Sequence, residues 1–258
     1  MIYEEIRVSS WNQYYEIVSK NSYKKYVYRG HKSPDYKIQS SLARAFMSLS
    51  SIPPRYQNAR ERQIIKMFKN TAHLYLNHLP NKDETLEWLS IMQHYGAPTR
   101  LIDWTYSPFV AAFFALEGLQ KECHVYELDV EKISSENASF ELTHKSLMDD
   151  KGIAISRVNL FLMPYEPDFN NERLLAQQGL FLIPSNFQVP FDELLTIYSH
   201  RKKKICKKYI FDMESKDIQY SLKLLKAMTI DNRNLFSGIE GLCRSALLQL
   251  LESKGRIP

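Results

Sequence analysis

The run PFVAAFFAL at residues 108–116 carries no charged or hydrogen-bonding side chain at any position. A helix with no polar face has nothing to offer water, so this one must lie in the interior, between layers of other structure. Ser107 and Pro108 supply its N-cap and first-turn proline. The segment before it, TRLIDW at residues 99–104, reads as a buried strand that feeds directly into it. At nine residues the apolar run is far short of the ~18 needed to span a membrane, and nothing else in the chain comes closer. A chain of 258 residues buries roughly three quarters of its unfolded surface, so neither disulfides nor a structural metal is needed to hold such a core.

Around this central helix the chain alternates irregularly between helical and extended patterns. Apolar spacing predicts helices over residues 10–22, 53–79 and 83–94, then near 191–199, 214–228 and 238–253. Strands are expected at 25–30 (KYVYRG), 99–104, 123–129, 158–164, 180–184 and 203–211. Short strands among runs of helices, without regular βαβ alternation, predict an α+β fold. No repeat, low-complexity stretch or Gly/Ser linker divides it, so residues 1–258 read as a single domain.

The formal net charge is +5, and its densest concentration is RKKKICKK at residues 201–208. Ile205, Tyr209 and Phe211 alternate through and beyond that cluster, which fits a strand with one buried face and one solvated basic face. A patch for phosphate, nucleotide or nucleic acid is the other reading. Cys123, Cys206 and Cys243 are odd in number and widely spaced, without a C-x-x-C pair, which argues against a disulfide framework or a zinc ribbon. With no signal-like apolar stretch in MIYEEIRVSSWNQ, a cytoplasmic protein without a membrane role is expected.

The familiar signatures for dinucleotides, nucleoside triphosphates, serine hydrolases and zinc proteases are missing from the sequence. His73 and His78 are five residues apart, poor spacing for a shared metal on a helix. What stands out is polar residues lodged in apolar elements. Arg29 ends the strand VYRG, Arg100 and Asp103 lie within TRLIDW on opposite faces by strand parity, and Gln93, His94 and Tyr95 close the preceding helix. Buried charges need partners. Either Arg29 and Asp103 form an internal ion-pair network, or Arg29, His94, Tyr95, Trp104 and Thr105 line a cleft that offers a guanidinium for phosphate and aromatic faces for a planar ring.

Four segments carry a family resemblance. YRGHKSPDYKIQSSLAR (28–44), EWLSIMQHYGAPTRLIDWTYSPFVAAFFAL (87–116), ERLLAQQGLF (172–181) and LFSGIEGL (235–242) closely resemble, in order and spacing, the FRG domain family. That family is named for a Phe-Arg-Gly triplet, and the first position here is Tyr28. In outline the chain is also similar to ADP-ribosyltransferases of the toxin and poly-ADP-ribose polymerase type. That resemblance implies NAD as substrate, with no metal. It implies that Arg29 and Gly30 hold a diphosphate or ribose. Trp104, Thr105 and Ser107, ahead of the buried helix, would border the nicotinamide ring, with Tyr28, His94, Tyr95, Arg100 and Asp103 as further ligand contacts. Gln178 falls near the position where those enzymes usually carry Glu. An amide can neither act as a base nor carry negative charge, which leaves Glu172 as the neighbouring carboxylate able to substitute.

Three functions follow as expectations. The first is an ADP-ribosyltransferase-like enzyme that cleaves NAD or transfers its ADP-ribosyl group to a protein or nucleic acid, as a bacterial toxin or defence effector. The second is a non-catalytic module of the same shape that binds a nucleotide or polyanion through Arg29, Arg100 and residues 201–208. The third, a metal-dependent nuclease, rests only on Glu214-x-Lys216 with Asp192 and Asp212 upstream. The sequence names no regulator and no antitoxin.

Overall fold

Nine strands occur among the described residues of the computed structural model, which are 2–168, 171–198, 204–236 and 238–252. They are β1 (Tyr3–Val8), β2 (Tyr26–His31), β3 (Ile102–Thr105), β4 (Glu122–Asp129), β5 (Met148–Asp149), β6 (Gly152–Ile153), β7 (Leu162–Tyr165), β8 (Gly179–Pro184) and β9 (Cys206–Asp212). Seven form one mixed sheet in the order β1-β9-β4-β2-β3-β8-β7, while β5 and β6 make a small separate ladder. Only β1 and β9 run parallel; every other pairing is antiparallel. With helices on both faces, this is the expected α+β class.

The helices are α1 (Trp11–Val18), α2 (Ser41–Ser48), α3 (Pro54–Thr71), α4 (Thr85–His94), α5 (Pro108–Leu116), α6 (Val130–Ser139), α7 (Glu172–Ala176), α8 (Phe191–Thr196), α9 (Ser215–Ala227), α10 (Asn232–Leu235) and α11 (Gly238–Glu252). One face of the sheet, with Tyr28, Val125 and Tyr209, packs against α1, α5 and α9. The other, with Val27, Ile102 and Leu128, packs against α3, α4, α6 and α8. The apolar run therefore lies where its composition requires. Helix α5 touches β2 and β4 on one side and α9 on the other, and Ala111, Ala112 and Ala115 have no exposed surface. Ser107 caps it, its hydroxyl accepting from the Val110 N–H at 3.2 Å.

The contact between α5 and β2 is a backbone-to-backbone approach at Gly30. A Cβ built there would stand 2.0 Å from the Ala111 carbonyl oxygen and 2.8 Å from the Ala115 nitrogen. Neither atom is the end of a flexible side chain, so only glycine fits. The alanines of α5 make the reciprocal allowance.

Several elements differ from the sequence expectation. β3 begins at Ile102, so Arg100 lies in the turn before it and strand parity does not govern its direction. The helix expected over 53–79 ends at Thr71 in a short 3-10 turn, leaving Tyr75 and Leu79 exposed. The strand expected over 158–164 is β7, displaced toward Tyr165. β1, α2 and α6 add to the expected set. Residues 201–203 of the basic cluster lie outside the described residues. The rest is engaged: Lys204 donates to the Tyr3 carbonyl at 2.7 Å, Lys207 pairs with buried Glu127 at 2.8 Å, and Lys208 lies 3.6 Å from Glu5. β9 is an interior strand between β1 and β4, not one with a solvated basic face.

Gly30→Ala is expected to lower unfolding stability by about 3 kcal/mol, the upper end of the cost of overpacking. Urea denaturation measures this, and an unchanged midpoint would show that α5 can retreat from β2.

Candidate functional site

Strands β2 and β3 meet at one pair of residues, Tyr28 and Thr105, and then part. β2 continues along β4 through Arg29, Gly30 and His31, while β3 stays with β8 from Thr105 back to Ile102. The sheet thus splits at Arg29, and a cleft of 830 Å³ opens there beside a smaller cavity of 250 Å³. Both are bordered by Arg29, Gln39, Arg44, Asp103, Arg173 and Gln177.

Because Gly30 faces α5, its neighbours Arg29 and His31 point to the opposite side of β2. The half-buried Arg29 guanidinium donates from Nε to His31 Nε2 at 3.1 Å and from NH1 to the backbone carbonyl of Asp103. No ion pair joins it to the Asp103 carboxylate, so the internal network expected as one reading is not formed. Burial lowers the Arg29 pKa and nearby Arg44 lowers it further, with Asp103 opposing. His31 Nδ1 lies 3.1 Å from the Tyr36 carbonyl. Burial and the Arg29 charge push the imidazole pKa down to about 3. A neutral ring with Nδ1–H toward the carbonyl leaves Nε2 as acceptor for Arg29, so the two contacts fix the tautomer.

Two further guanidinium groups come from other elements. Arg44, on α2, is exposed and donates to the Gln39 carbonyl at 2.9 Å. Arg173, on α7, lies over the Phe236 ring at 4.8 Å. Gln177 joins them, its Nε2 donating to the Leu235 carbonyl at 3.0 Å. Asp103 is exposed, and its Oδ1 accepts from Gln93 Nε2 at 2.8 Å. The Gln93 amide is oriented by the Thr99 hydroxyl, which donates to its oxygen.

The other residues singled out in the sequence divide clearly. Trp104 borders the cleft, 3% exposed and stacked on Phe191, and its Nε1 has no hydrogen-bond partner among the described residues. Thr105 also borders it, but its hydroxyl is committed to the Gln177 carbonyl at 2.6 Å and the Ser107 N–H at 3.0 Å. Ser107 is occupied as the cap of α5. Tyr28 turns its hydroxyl away to Asn21 and Glu127. His94 lines the smaller cavity with a buried, unpartnered Nδ1, and burial followed by Arg173 lowers its pKa. Tyr95 beside it is exposed.

Three assignments require correction. Arg100 has no exposed surface. Its Nε donates to Glu61 Oε1 at 2.7 Å, NH2 pairs with Oε2 of the same carboxylate and lies 3.2 Å from Asn58 Oδ1, and NH1 donates to the Ala154 carbonyl. Such a guanidinium is neutralised and holds α3 to the core; it is not placed to receive a ligand. Gln178 and Glu172 are both exposed and border neither cavity. Gln178 has φ 47° and is itself the left-handed residue ending α7. Gly179, which follows it, is the first residue of β8, where a Cβ would meet Leu174 at 2.5 Å.

The nuclease residues do not converge. Asp192 accepts from the Tyr3 hydroxyl near the start of β9, whereas Asp212, at the far end, and Glu214 share Lys121 at 4.0 and 3.6 Å. Among the described residues no group of three or more His, Cys, Asp or Glu could hold a metal ion. No helix among them is long and apolar enough to cross a membrane.

Sequence reasoning missed His31, Arg44 and Arg173. His31 could have been found from its two-residue spacing to Arg29, which puts both on one strand face. Arg44 and Arg173 carry no such local signal.

The fold and cleft define an α+β domain with a split central sheet and an arginine-lined opening. The FRG domain family model matches residues 24–123. The segments at 172–181 and 235–242 lie beyond the match; they meet each other at Gln177 and Leu235, and the Gln177 carbonyl accepts from Thr105 within the match. The chain matches no curated protein and no solved structure.

His31 generates a pH prediction. Its folded pKa lies below the ordinary 6.5, so the unfolded chain takes up a proton that the native state refuses. This contribution to stability is complete above about pH 6.5 and is lost as the pH falls toward 3. Denaturation at pH 7 and pH 5 should show a larger loss for the wild type than for His31→Gln. Equal losses would mean that His31 titrates normally.

Proposed function

We propose that the β2–β3 cleft binds a nucleotide diphosphate, with NAD as the ligand, and that the chain is an ADP-ribosyltransferase-like protein. The observation that carries this reading is Arg29: a half-buried guanidinium at the split, held by two neutral acceptors and in no ion pair with the nearby Asp103 carboxylate, with Arg44 and Arg173 bordering the same opening. Two of its five N–H donors are used within the protein. The rest suit a phosphate, which supplies the missing negative charge and strong acceptors together. Cleavage would break the bond between the ribose C1′ and the nicotinamide nitrogen, the electron pair leaving with nicotinamide, and water or an acceptor group on a protein or nucleic acid would take the ribosyl carbon.

A second reading, binding without turnover, is favoured by one observation. The cleft residue from QQG is Gln177, an amide already committed to Leu235, and Glu172 stays outside.

Titration calorimetry with NAD and ADP-ribose tests the binding. Arg29→Ala is expected to weaken both by about 10- to 100-fold, the worth of hydrogen bonds to a charged group. Release of nicotinamide by the wild type, abolished in Arg29→Ala, would establish the enzyme. Binding that raises the melting temperature without release would establish the module. A folded wild type that binds neither compound would overturn the assignment of the cleft.

A further inference from the structure

A second chamber adjoins the arginine cleft. It has a volume of 560 Å³ and is bordered by every residue of the segment 34–40. The two spaces share Asp35, Tyr36, Lys37 and Gln39 from that segment, together with Met47 of α2. The segment therefore borders both spaces. Tyr126, which borders the chamber, sits opposite Arg29 in the β2–β4 ladder. A molecule with its phosphates at Arg29 has the chamber within reach of its next group.

The character of the two spaces differs. The cleft is bordered by arginines, whereas the chamber is bordered by rings: Tyr3 and Tyr126, with centroids 5.4 Å apart and planes at 60°, and Phe187 and Phe191. Its polar rim includes three acceptor groups. Asp192 takes the Tyr3 hydroxyl on Oδ1 and has no further hydrogen-bond partner among the described residues. Gln188 has its Nε2 committed to the Pro54 carbonyl and to Gln57 Oε1, so its own oxygen is what it can offer. Asp35 adds a second carboxylate. Two cations border the chamber as well: Lys37, from the segment itself, and Lys208, which lies 3.6 Å from Glu5. The Tyr126 hydroxyl has no hydrogen-bond partner among the described residues, so it can serve either end of a hydrogen bond.

We infer that this chamber is the base subsite of the cleft's ligand, and that it takes a planar ring bearing an exocyclic amino group, as adenine does, in preference to one bearing only carbonyl groups at its edge. Aromatic walls suit a planar ring, and a few fixed acceptors suit an amine. A ring with carbonyl oxygens would set them against Asp35 and Asp192, with Lys37, Lys208 and the Tyr126 hydroxyl as the donors on the opposing side. The inference rests on the reading of the cleft as a diphosphate site.

Calorimetry on the intact chain with pyrophosphate, ADP and UDP separates the two claims. ADP is expected to bind at least about tenfold more tightly than either pyrophosphate or UDP, the factor that one well-made hydrogen bond supplies. Val189→Trp, at the chamber wall, should reduce ADP to the affinity of pyrophosphate while leaving pyrophosphate unchanged. Tyr126→Phe, a conservative change that keeps the floor in place, should weaken ADP alone by a few fold if the chamber variant does not fold. Arg29→Ala should weaken all three. If pyrophosphate binds but ADP binds no more tightly, or UDP equals ADP, the base subsite is overturned and the diphosphate site stands. If neither pyrophosphate nor ADP binds the wild type, the cleft assignment falls and the subsite with it.

Discussion

The structure depends on a helix that can turn no face to water. Helix α5 must be covered on every side, and on the side of the sheet its backbone comes so close to β2 that Gly30 is the only residue that fits. That contact sets direction as well as distance. With Gly30 committed to α5, the alternation of the strand sends Arg29 and His31 to the opposite face. The same helix explains where the sheet parts. β3 runs into α5 within two residues of the Tyr28–Thr105 pair, through a turn in which the Thr105 hydroxyl receives the Ser107 N–H. A chain that must leave the sheet to lie over β2 is anchored to β2 at this point, and the split lies on the other side of it.

Two arginines show how burial decides between structure and recognition. Arg100 is fully buried, and its charge is met by Glu61 in a two-point pair with further acceptors around it, the arrangement a desolvated guanidinium requires. Arg29 is half-buried and is met by an imidazole and a carbonyl, both neutral. Those partners fix its position without cancelling its charge. His31 is suited to the task because its burial, helped by the charge it steadies, keeps it unprotonated. The potential left over is what an anion would find in the cleft, and Arg44 and Arg173 add to it.

What was legible in the sequence was whatever local physics alone determines. The all-apolar composition of 108–116 required an interior helix, and VYRG ended a strand in an arginine and a glycine that the structure uses separately. What misled was parity applied beyond the end of a strand: Arg100 sits before β3, so the face assigned to it had no meaning. At the end of α7, packing decides what residue type alone does not. Glycine is the usual residue in a left-handed position, but here Gln178 takes it, and Gly179 is glycine because Leu174 leaves no room. β1 was hidden because YEEIRV carries glutamates and an arginine at positions that β9 pairs through the backbone. Arg44 and Arg173 could not be seen as partners at all, since only the tertiary fold brings α2 and α7 to one opening.

The extent of the family match sharpens this last point. Residues 24–123 contain β2, β3 and only the first two residues of β4. Within that span β3 lacks β8, its long-edge partner, and β4 lacks β9, so two strand edges of the sheet would stand open. α5 would also lose the cover of α9, and an uncovered apolar helix is what this architecture cannot tolerate. The matched stretch therefore holds Arg29, Arg44 and Asp103 but cannot by itself complete either the sheet or the cleft. Arg173 and Gln177 arrive on the segment that also brings β8 to the edge of β3. The strand that closes the sheet and the side chains that close the cleft are delivered by one continuous stretch of chain, so the opening can take its full form only once the fold is complete.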